Sequence, residues 1–111
     1  MKSFYVYIVQ CKDDSFYIGV TSNLRKRIDD HNAGLYPAAY TYRRRPVILK
    51  WFEQFTDSFS AFHVEKQLKG WSRKKKMALI EENWDKLIEY SKNYTENGKP
   101  PTSNRSSTSS D

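Results

Sequence analysis

The residues best suited to chemistry lie in one short segment, residues 16–31. It carries Tyr17, Arg25, Arg27 and His31. A guanidinium group is planar and always charged, so it binds phosphate oxygens well, whereas tyrosine and histidine side chains can transfer protons. We expect this segment to bind a phosphate group, and to catalyse a reaction on it only if the rest of the chain brings further groups close.

Two strands must position the first of these side chains. An unbroken run of β-branched and aromatic residues from Phe4 to Val9 is typical of a strand covered on both faces. Polar residues 12–15 then predict a turn and residues 16–18 a second strand, so the two strands form a hairpin. Gly19 ends the second strand, where the absence of a Cβ lets the backbone turn or another group approach.

A helix must position the other three. It begins after Asn23, a good N-cap residue, and we expect it to end near residue 33. Arg27 lies on or beside the inward stripe of this helix, whereas Arg25 and Lys26 point elsewhere. The stripe itself consists of Leu24, Ile28 and His31.

The loop from Leu35 to Pro46 combines aromatic rings with arginines. Guanidinium groups bind phosphates and flat rings stack on bases, which favours a nucleic-acid surface. The alternative is a solvated loop whose tyrosines pack on the protein body, and the sequence favours neither interpretation. The residues concerned are Tyr36, Tyr40, Tyr42, Arg43, Arg44 and Arg45.

A third strand over residues 47–55 and a second helix ending near Lys69 follow. Asp57 or Ser58 caps this helix, and its apolar stripe consists of Ala61, Val64, Leu68 and Trp71. Glu65 lies on the inner side, where a carboxylate costs free energy unless something pairs with it. It is therefore either a functional carboxylate or one half of a salt bridge, with Arg27 or a lysine as its partner.

Ser72 caps a third helix, whose first turn, residues 73–76, is entirely basic. Positive charge opposes the helix dipole there, which suits either an anionic ligand or a solvated face. The predicted inward residues are Met77, Ile80, Trp84 and Leu87 or Ile88. From Thr95 onward no aromatic residue remains, so we expect one domain over residues 1–94 and a disordered tail over residues 95–111.

Composition narrows the classes of partner. The chain has 111 residues and a net charge of +6, and the charges from Thr95 to Asp111 cancel. A basic folded body favours a polyanion, most simply nucleic acid, although the charge could serve solubility alone. The single Cys11 excludes an internal disulfide and, with only two histidines, a zinc site of the usual kind. No segment is long enough to span a bilayer, so we expect a cytoplasmic protein with no membrane partner.

The motif Tyr5-Val6-Tyr7 in the first strand and Tyr17-Ile18-Gly19 in the second, with the element order β-β-α-β-α-α, resemble the GIY-YIG nuclease superfamily. The similarity covers about residues 3–84 and is greatest to small stand-alone bacterial members of the YhbQ-like kind. The resemblance implies an α+β fold (an α/β sandwich) with a small three-stranded, mostly antiparallel sheet flanked by helices. Matching segments are residues 17–24, Arg27, His31, residues 44–47 and residues 65–73. One departure is Tyr5, which replaces a glycine that has no side chain for chemistry.

The resemblance also implies a role for each matched position. Tyr7 and Tyr17 are the two motif tyrosines, Arg27 is the arginine that binds phosphate, and His31 is the histidine of the first helix. Glu65 is the helical glutamate that holds one divalent ion, Mg²⁺ or Mn²⁺. The implied reaction is hydrolysis of a phosphodiester by in-line attack of water. Either tyrosine could take the proton from water. A phenol with a pKa near 10 is a poor base at neutrality, so His31 stays an alternative to both.

The predicted function is therefore a DNA endonuclease, selective for nucleic-acid structure rather than sequence, that serves repair or recombination. DNA is favoured over RNA, and a monomer is assumed. Two alternatives are a nucleic-acid-binding module on the same fold that does not cleave, and a small adaptor whose basic face binds a protein. The predicted nucleic-acid-binding residues are Arg25, Lys26, Tyr40, Tyr42, Arg43, Arg44, Arg45, Lys74 and Lys75.

Overall fold

The computed structural model describes the backbone of residues 2–96 and the side chains of residues 2–91. The fold is α+β, and the predicted order of strands and helices is confirmed, except that the last predicted helix is two helices. The elements are β1 (Phe4–Gln10), β2 (Phe16–Thr21), α1 (Leu24–Ala33), a 3₁₀ turn (Tyr42–Arg44), β3 (Ile48–Phe55), α2 (Ser58–Lys69), α3 (Arg73–Ile80) and α4 (Trp84–Glu96). Contacts divide the chain into two units, residues 1–70 and a second that begins at Trp71.

The sheet of the first unit has the strand order β2-β1-β3, and both pairs of strands are antiparallel. Strand β1 lies between the other two, and its side chains are covered on both faces, as its continuous apolar sequence predicts. Four successive residues of β1 have no exposed surface, namely Val6, Tyr7, Ile8 and Val9.

The pairing of β1 with β2 explains the glycine in the second motif. Tyr7 lies opposite Gly19, and its phenol ring occupies the space that a Cβ on Gly19 would need. Any larger residue at position 19 would push the ring away, since a close-packed interior has no free volume to receive it. Gly19 is thus required by the close approach of Tyr7.

Helix α1 packs its inner side against the face of the sheet from which Tyr7 projects. The Asn23 side chain caps it by accepting a hydrogen bond from the Lys26 backbone N–H, 3.2 Å away, and Gly34 ends it in the left-handed conformation, with φ of 76°. Leu24 and Ile28 of the predicted stripe pack against a core that consists of Tyr7, Val9, Cys11 and Val47. The predicted cap and stripe of this helix are confirmed.

The loop between α1 and β3 is fixed at several points. The Asn32 side chain accepts a hydrogen bond from the Val47 N–H (2.7 Å) and donates one to its carbonyl oxygen (3.0 Å). Earlier in the loop, Arg44 forms an ion pair with Asp13 of the β1–β2 turn, with an N···O distance of 3.0 Å. These contacts determine where the loop residues between them lie.

Helix α2 lies against β1 and β2. Asp57 caps it by accepting a hydrogen bond of 2.7 Å from the Ser60 N–H, and Ala61 and Leu68 of the predicted stripe are buried. The predicted end at Lys69 is confirmed as well.

The second unit corrects one prediction. Its first helix is capped by Ser72 as expected, but it ends at Ile80, and Glu82 takes a positive φ of 55° before α4 begins. This break changes the phase of the pattern, so the inward set predicted for one continuous helix is only partly right: Ile80 and Leu87 are half-buried. Ala78 and Leu79 are the buried residues of α3, whereas Met77, Trp84 and Ile88 are exposed.

Helix α4 extends to Glu96, two residues into the predicted tail. Residues 97–111 of that tail lie outside the described part of the chain. Among residues 2–96, no helix combines the length and the apolar character needed to cross a membrane.

Candidate active site

Two tyrosines of the β1–β2 hairpin lie side by side on the face that α1 covers. Tyr7 is paired with Gly19 and Tyr17 with Val9, so the two rings project from the same face of neighbouring strands. Their centroids are 6.5 Å apart. Helix α1 adds His31, whose ring meets both tyrosines edge to face, with centroids 6.3 Å from Tyr7 and 5.6 Å from Tyr17.

A chain of hydrogen bonds connects three buried side chains at this point. The Tyr7 hydroxyl lies 3.2 Å from Nε2 of His31, and Nδ1 of the same imidazole lies 2.8 Å from Oγ1 of Thr41. Tyr7, His31 and Thr41 have relative exposures of 0%, 3% and 1%. Both nitrogens of the imidazole are therefore engaged by protein groups, which fixes the plane of the ring.

Burial determines the protonation of this chain. It raises the pKa of Tyr7 to about 12, and neighbouring Tyr17 contributes to the rise, while the Arg27 guanidinium beside the phenol opposes it. Burial also lowers the pKa of His31, and the positive charge of Arg27 lowers it further, whereas Asp30 acts in the opposite direction. At neutral pH the phenol keeps its proton and the imidazole is uncharged, so Nε2 can act as an acceptor.

Arg27 is held next to the two buried rings by a loop tyrosine. Its guanidinium lies over the ring of Tyr36, with its central carbon 5.5 Å from the centroid. Tyr36 meets His31 edge to face at 5.2 Å, and its hydroxyl donates to Asp30 over 3.3 Å. Tyr36 thus packs against both the arginine and the histidine of α1.

Tyr17 is the more exposed of the two motif tyrosines and is covered from the loop. The ring of Tyr40 stacks on it with an interplanar angle of 13° and a centroid distance of 6.2 Å. Arg44 in turn lies 3.8 Å over the ring of Tyr40, and its ion pair with Asp13 anchors this layer to the β1–β2 turn.

Glu65 of α2 is the carboxylate predicted for the site. Its negative charge is close enough to contribute to the raised pKa of Tyr7. One oxygen lies 3.1 Å from Nζ of Lys69, one turn later on the same helix, and the two side chains are 20% and 54% exposed. Glu65 thus forms a salt bridge to a lysine, one of the two alternatives that the sequence left open. The carboxylate is partly exposed, and Lys69 is more exposed than Glu65.

The acidic groups suit only one kind of metal site. Among the described side chains, residues 2–91, no three His, Cys, Asp or Glu groups cluster in the manner of a metal site. An ion at Glu65 would have to take its remaining ligands from water and a phosphate. Mg²⁺ accepts this arrangement because it dehydrates reluctantly and binds through one or two carboxylates plus substrate phosphates.

The family model described as the GIY-YIG catalytic domain matches residues 3–78. The chain belongs to the GIY-YIG family. The predicted resemblance is confirmed, and the two motifs of that family are the two hairpin strands that carry Tyr7 and Tyr17. Nuclease activity is general in this superfamily.

Relatives and a solved structure agree with this assignment. The chain is 48% identical over 82 residues to the UPF0213 protein SH2523 of Staphylococcus haemolyticus, a match that covers 74% of this chain and 99% of that protein. It is 45% identical over 78 residues to the UPF0213 protein YazA of Bacillus subtilis, covering 70% and 78%. The solution NMR structure of EF2693 from E. faecalis is similar in fold, with a TM-score of 0.52 and 37% identity, covering 73% and 85%. These names specify no activity.

The first unit, residues 1–70, brings the predicted site residues together to different extents. Tyr7, Tyr17 and His31 are in mutual ring contact, and Arg27 lies beside the Tyr7 phenol. Glu65 acts on that phenol through its charge. All five belong to the first unit, and the roles assigned to them stay predictions.

The loop predicted to bind nucleic acid combines the two alternatives. Arg44 and Arg45 fold back on the loop: each lies over a tyrosine ring, Tyr40 and Tyr42 respectively, and each donates to the carbonyl of that same tyrosine. Arg43 is exposed, and no hydrogen bond or ion pair ties it to another residue of the described chain. Arg43 is thus the loop arginine that is free to meet a ligand.

The remaining basic residues of that prediction also differ. On α1, Lys26 forms an ion pair of 2.7 Å with Asp30, whereas Arg25 is exposed and, among the side chains of residues 2–91, without a hydrogen-bonding or ionic partner. In the second unit, Lys74 and Lys75 lie over the rings of Tyr90 and Trp71 respectively.

Two residues of the site escaped the sequence analysis. Thr41 carries no signal, because a single threonine between two loop tyrosines fits any solvated turn. The sequence leaves Tyr36 open between a nucleic-acid surface and packing on the protein body, and its contacts with Arg27 and His31 fit the second alternative. No periodic pattern applies to a loop, so neither contact could be derived from spacing.

Proposed function

We propose that the first unit hydrolyses phosphodiester bonds in nucleic acid, with DNA as the preferred substrate and one Mg²⁺ or Mn²⁺ ion. The observation that supports this proposal is the Tyr7 hydroxyl, which lies 3.2 Å from Nε2 of a buried His31 and next to the Arg27 guanidinium. A phenol, an imidazole and a guanidinium in contact supply the base and the phosphate ligand that in-line attack by water requires.

The histidine lets Tyr7 relay a proton without becoming a free phenolate. A phenol whose pKa is about 12 lies about five units above neutrality, so releasing its proton to solvent at pH 7 costs about 7 kcal/mol. Transfer to His31 alone would cost no less, because the pKa of that imidazole lies below 6.5, so the phenol must gain a proton from water as it passes its own to Nε2. We therefore assign the base to Tyr7, with His31 as the acceptor behind it.

The step can be written with all protons accounted for. A water oxygen attacks phosphorus in line with the leaving oxygen and gives a proton to the Tyr7 oxygen, while the phenolic proton passes to Nε2 of His31. Arg27 binds a non-bridging oxygen and the charge that develops on it. Tyr17, the more exposed of the two motif tyrosines, orients the attacking water. The bond to the leaving oxygen breaks, and that oxygen takes a proton from solvent.

Glu65 would hold the divalent ion. When bound, such an ion stabilises negative charge on the scissile phosphate and on the leaving oxygen. Lys69 must leave the carboxylate for this, which costs little because an exposed pair one turn apart is worth only about 0.5 kcal/mol.

A module that binds nucleic acid without cutting it is the second candidate. The exposed, unpaired guanidinium groups of Arg25 and Arg43 support it, since phosphate binding alone needs no catalytic group. Cleavage and binding assays together separate the two proposals. We further propose a cytoplasmic protein that recognises branched or nicked DNA in repair or recombination.

The test incubates the full chain with plasmid, branched DNA and structured RNA, in Mg²⁺, in Mn²⁺ or in EDTA. We expect cleavage of branched DNA with either ion and none in EDTA. Glu65→Gln and Arg27→Ala should each reduce the rate by at least roughly 10²-fold. Glu53→Gln, on the exposed part of β3, is the matched control and should cut like the parent.

Two results would contradict the proposal. If both site variants cut as fast as the parent, the assigned site is wrong. If no substrate is cut but DNA binding weakens steeply with salt, the binding module is the correct function.

A further inference from the structure

The proton transfer proposed above depends on which nitrogen of His31 carries hydrogen. A neutral imidazole has one N–H and one acceptor nitrogen. If Nε2 carried the hydrogen, it would point at the Tyr7 oxygen and could not receive a proton from it. Something in the protein must therefore select the form with hydrogen on Nδ1.

We propose that Thr41 is a positioning residue that holds His31 in the Nδ1–H tautomer by accepting that hydrogen on Oγ1, so that Nε2 stays open to the phenolic proton of Tyr7. Its effect on cleavage rests on the proposed function. The tautomer itself is a property of the protein without substrate or metal.

The hydrogen bonds around Tyr7 favour this tautomer. The Arg27 guanidinium lies beside the phenol and lowers its pKa, and because it has only donors, it can face the Tyr7 oxygen only as a donor. The phenolic O–H then needs an acceptor, and Nε2 of His31, at 3.2 Å, is the partner within reach among the described residues. With hydrogen on Nε2, two donors would face the phenol oxygen and the buried phenolic hydrogen would have no acceptor, which is costly.

The position of Thr41 does not depend on the imidazole alone. It lies in the turn that leads into the 3₁₀ helix, where the Arg44 N–H donates to its carbonyl oxygen over 2.9 Å. The loop is fixed beyond it by the pair between Arg44 and Asp13. With Thr41 only 1% exposed, water does not compete for Nδ1, so the hydroxyl oxygen 2.8 Å away is the group that accepts its hydrogen in the inferred tautomer.

The direct test is ¹⁵N NMR of the imidazole rings in the full chain without metal, at a pH at which His31 is neutral. We expect hydrogen on Nδ1 and a bare Nε2 for His31 in the parent and in Thr41→Ser, which keeps the hydroxyl. In Thr41→Val, which has the same shape without the oxygen, the His31 signals should move toward the Nε2–H form. The exposed His63 is an internal control and should not change.

The kinetic arm uses the same three proteins in single-turnover cleavage. Thr41→Val should lower the rate by roughly tenfold to hundredfold, as loss of the group that orients a functional histidine commonly does. Thr41→Ser should stay within about threefold of the parent. A purely structural role would not produce rescue by serine together with a tautomer change.

Two outcomes overturn the inference: hydrogen on Nε2 of His31 in the parent, or an unchanged tautomer in a folded Thr41→Val protein. The failure of the proposed function is distinguishable. If the tautomers are as expected but no protein cuts any substrate, Thr41 holds the histidine as inferred and the hydrolytic function is wrong.

Discussion

The two sides of the site differ in how firmly their side chains are held. On the sheet side, Tyr7 and His31 are buried, and their hydrogen bonds are made within the protein. On the α2 side, Glu65 is partly exposed and its partner is Lys69, a flexible side chain of the same helix. Under the proposed function, the proton-transfer groups are in place before substrate arrives, whereas the carboxylate keeps a partner that a metal ion would replace.

Removing the hydroxyl of Tyr7, on the sheet side of the site, should have the largest effect on the cleavage rate. In Tyr7→Phe we expect cleavage to fall by roughly 10²- to 10³-fold, since positioned general bases contribute about this much. DNA binding should be unchanged, because the phosphate-binding arginines remain. Single-turnover rates and a binding assay measure the two effects.

Tyr5→Phe is the matched control for this variant. Tyr5 lies two residues earlier on the same strand, and its ring packs edge to face on Phe52, so its hydroxyl has no assigned part in the site. Equal losses of rate in the two variants would mean that the Tyr7 hydroxyl has no special role.

A fall in pH should inactivate the sheet side of the site, Tyr7 and His31, before it affects the rest of the protein. The pKa of His31 lies below its usual 6.5 because of burial and Arg27. Once His31 is protonated it cannot accept the Tyr7 proton, so the cleavage rate should fall about tenfold for each pH unit below that pKa. The groups that face the imidazole and enter this titration are Tyr7, Tyr17, Arg27, Asp30 and Tyr36.

The same shift should appear in stability, with a fixed sign. Below about pH 6.5 the unfolded chain binds a proton at His31 that the folded chain still refuses, so the free energy of unfolding decreases as the pH falls. Urea unfolding between neutral pH and pH 5 measures this slope, and His31→Gln should flatten it. A parent whose stability increased over this interval would contradict the assignment.

Replacing Lys69 should have the smallest effect and should act only on the α2 side of the site, at Glu65. In Lys69→Met we expect the affinity of Glu65 for Mn²⁺ to rise by about twofold, the equivalent of an exposed ion pair worth about 0.5 kcal/mol. Calorimetric titration with Mn²⁺ measures it. Lys66→Met, on the same helix but outside the pair, is the control, and an equal gain there would show that general charge, not release of Glu65, is responsible.

The elements that local chemistry specifies were predictable from the sequence. The caps Asn23, Asp57 and Ser72 each accept a hydrogen bond from a helix N–H, as their residue types predict. The break at Glu82 was not predictable, because a positive φ at a glutamate has no residue signal of the kind that glycine gives.

The site was predictable only where a motif carried it. Tyr7, Tyr17 and Arg27 follow from motif spacing, and Gly19 follows as the residue over which the first phenol packs. The contact between Thr41 and His31 depends on the path of a loop, which is set by contacts distant in sequence, such as Asn32 with Val47. No local pattern contains that information.

The central claim is that Tyr7 and His31 act as one unit in cleavage. The most direct test compares single-turnover cleavage of branched DNA by Tyr7→Phe, His31→Gln and the double variant, each confirmed to be folded. If the two groups form one proton-transfer unit, the double variant should be no slower than the slower single variant, because residues that act together are strongly non-additive. If the two losses instead multiply, Tyr7 and His31 act separately and the account of the base is wrong.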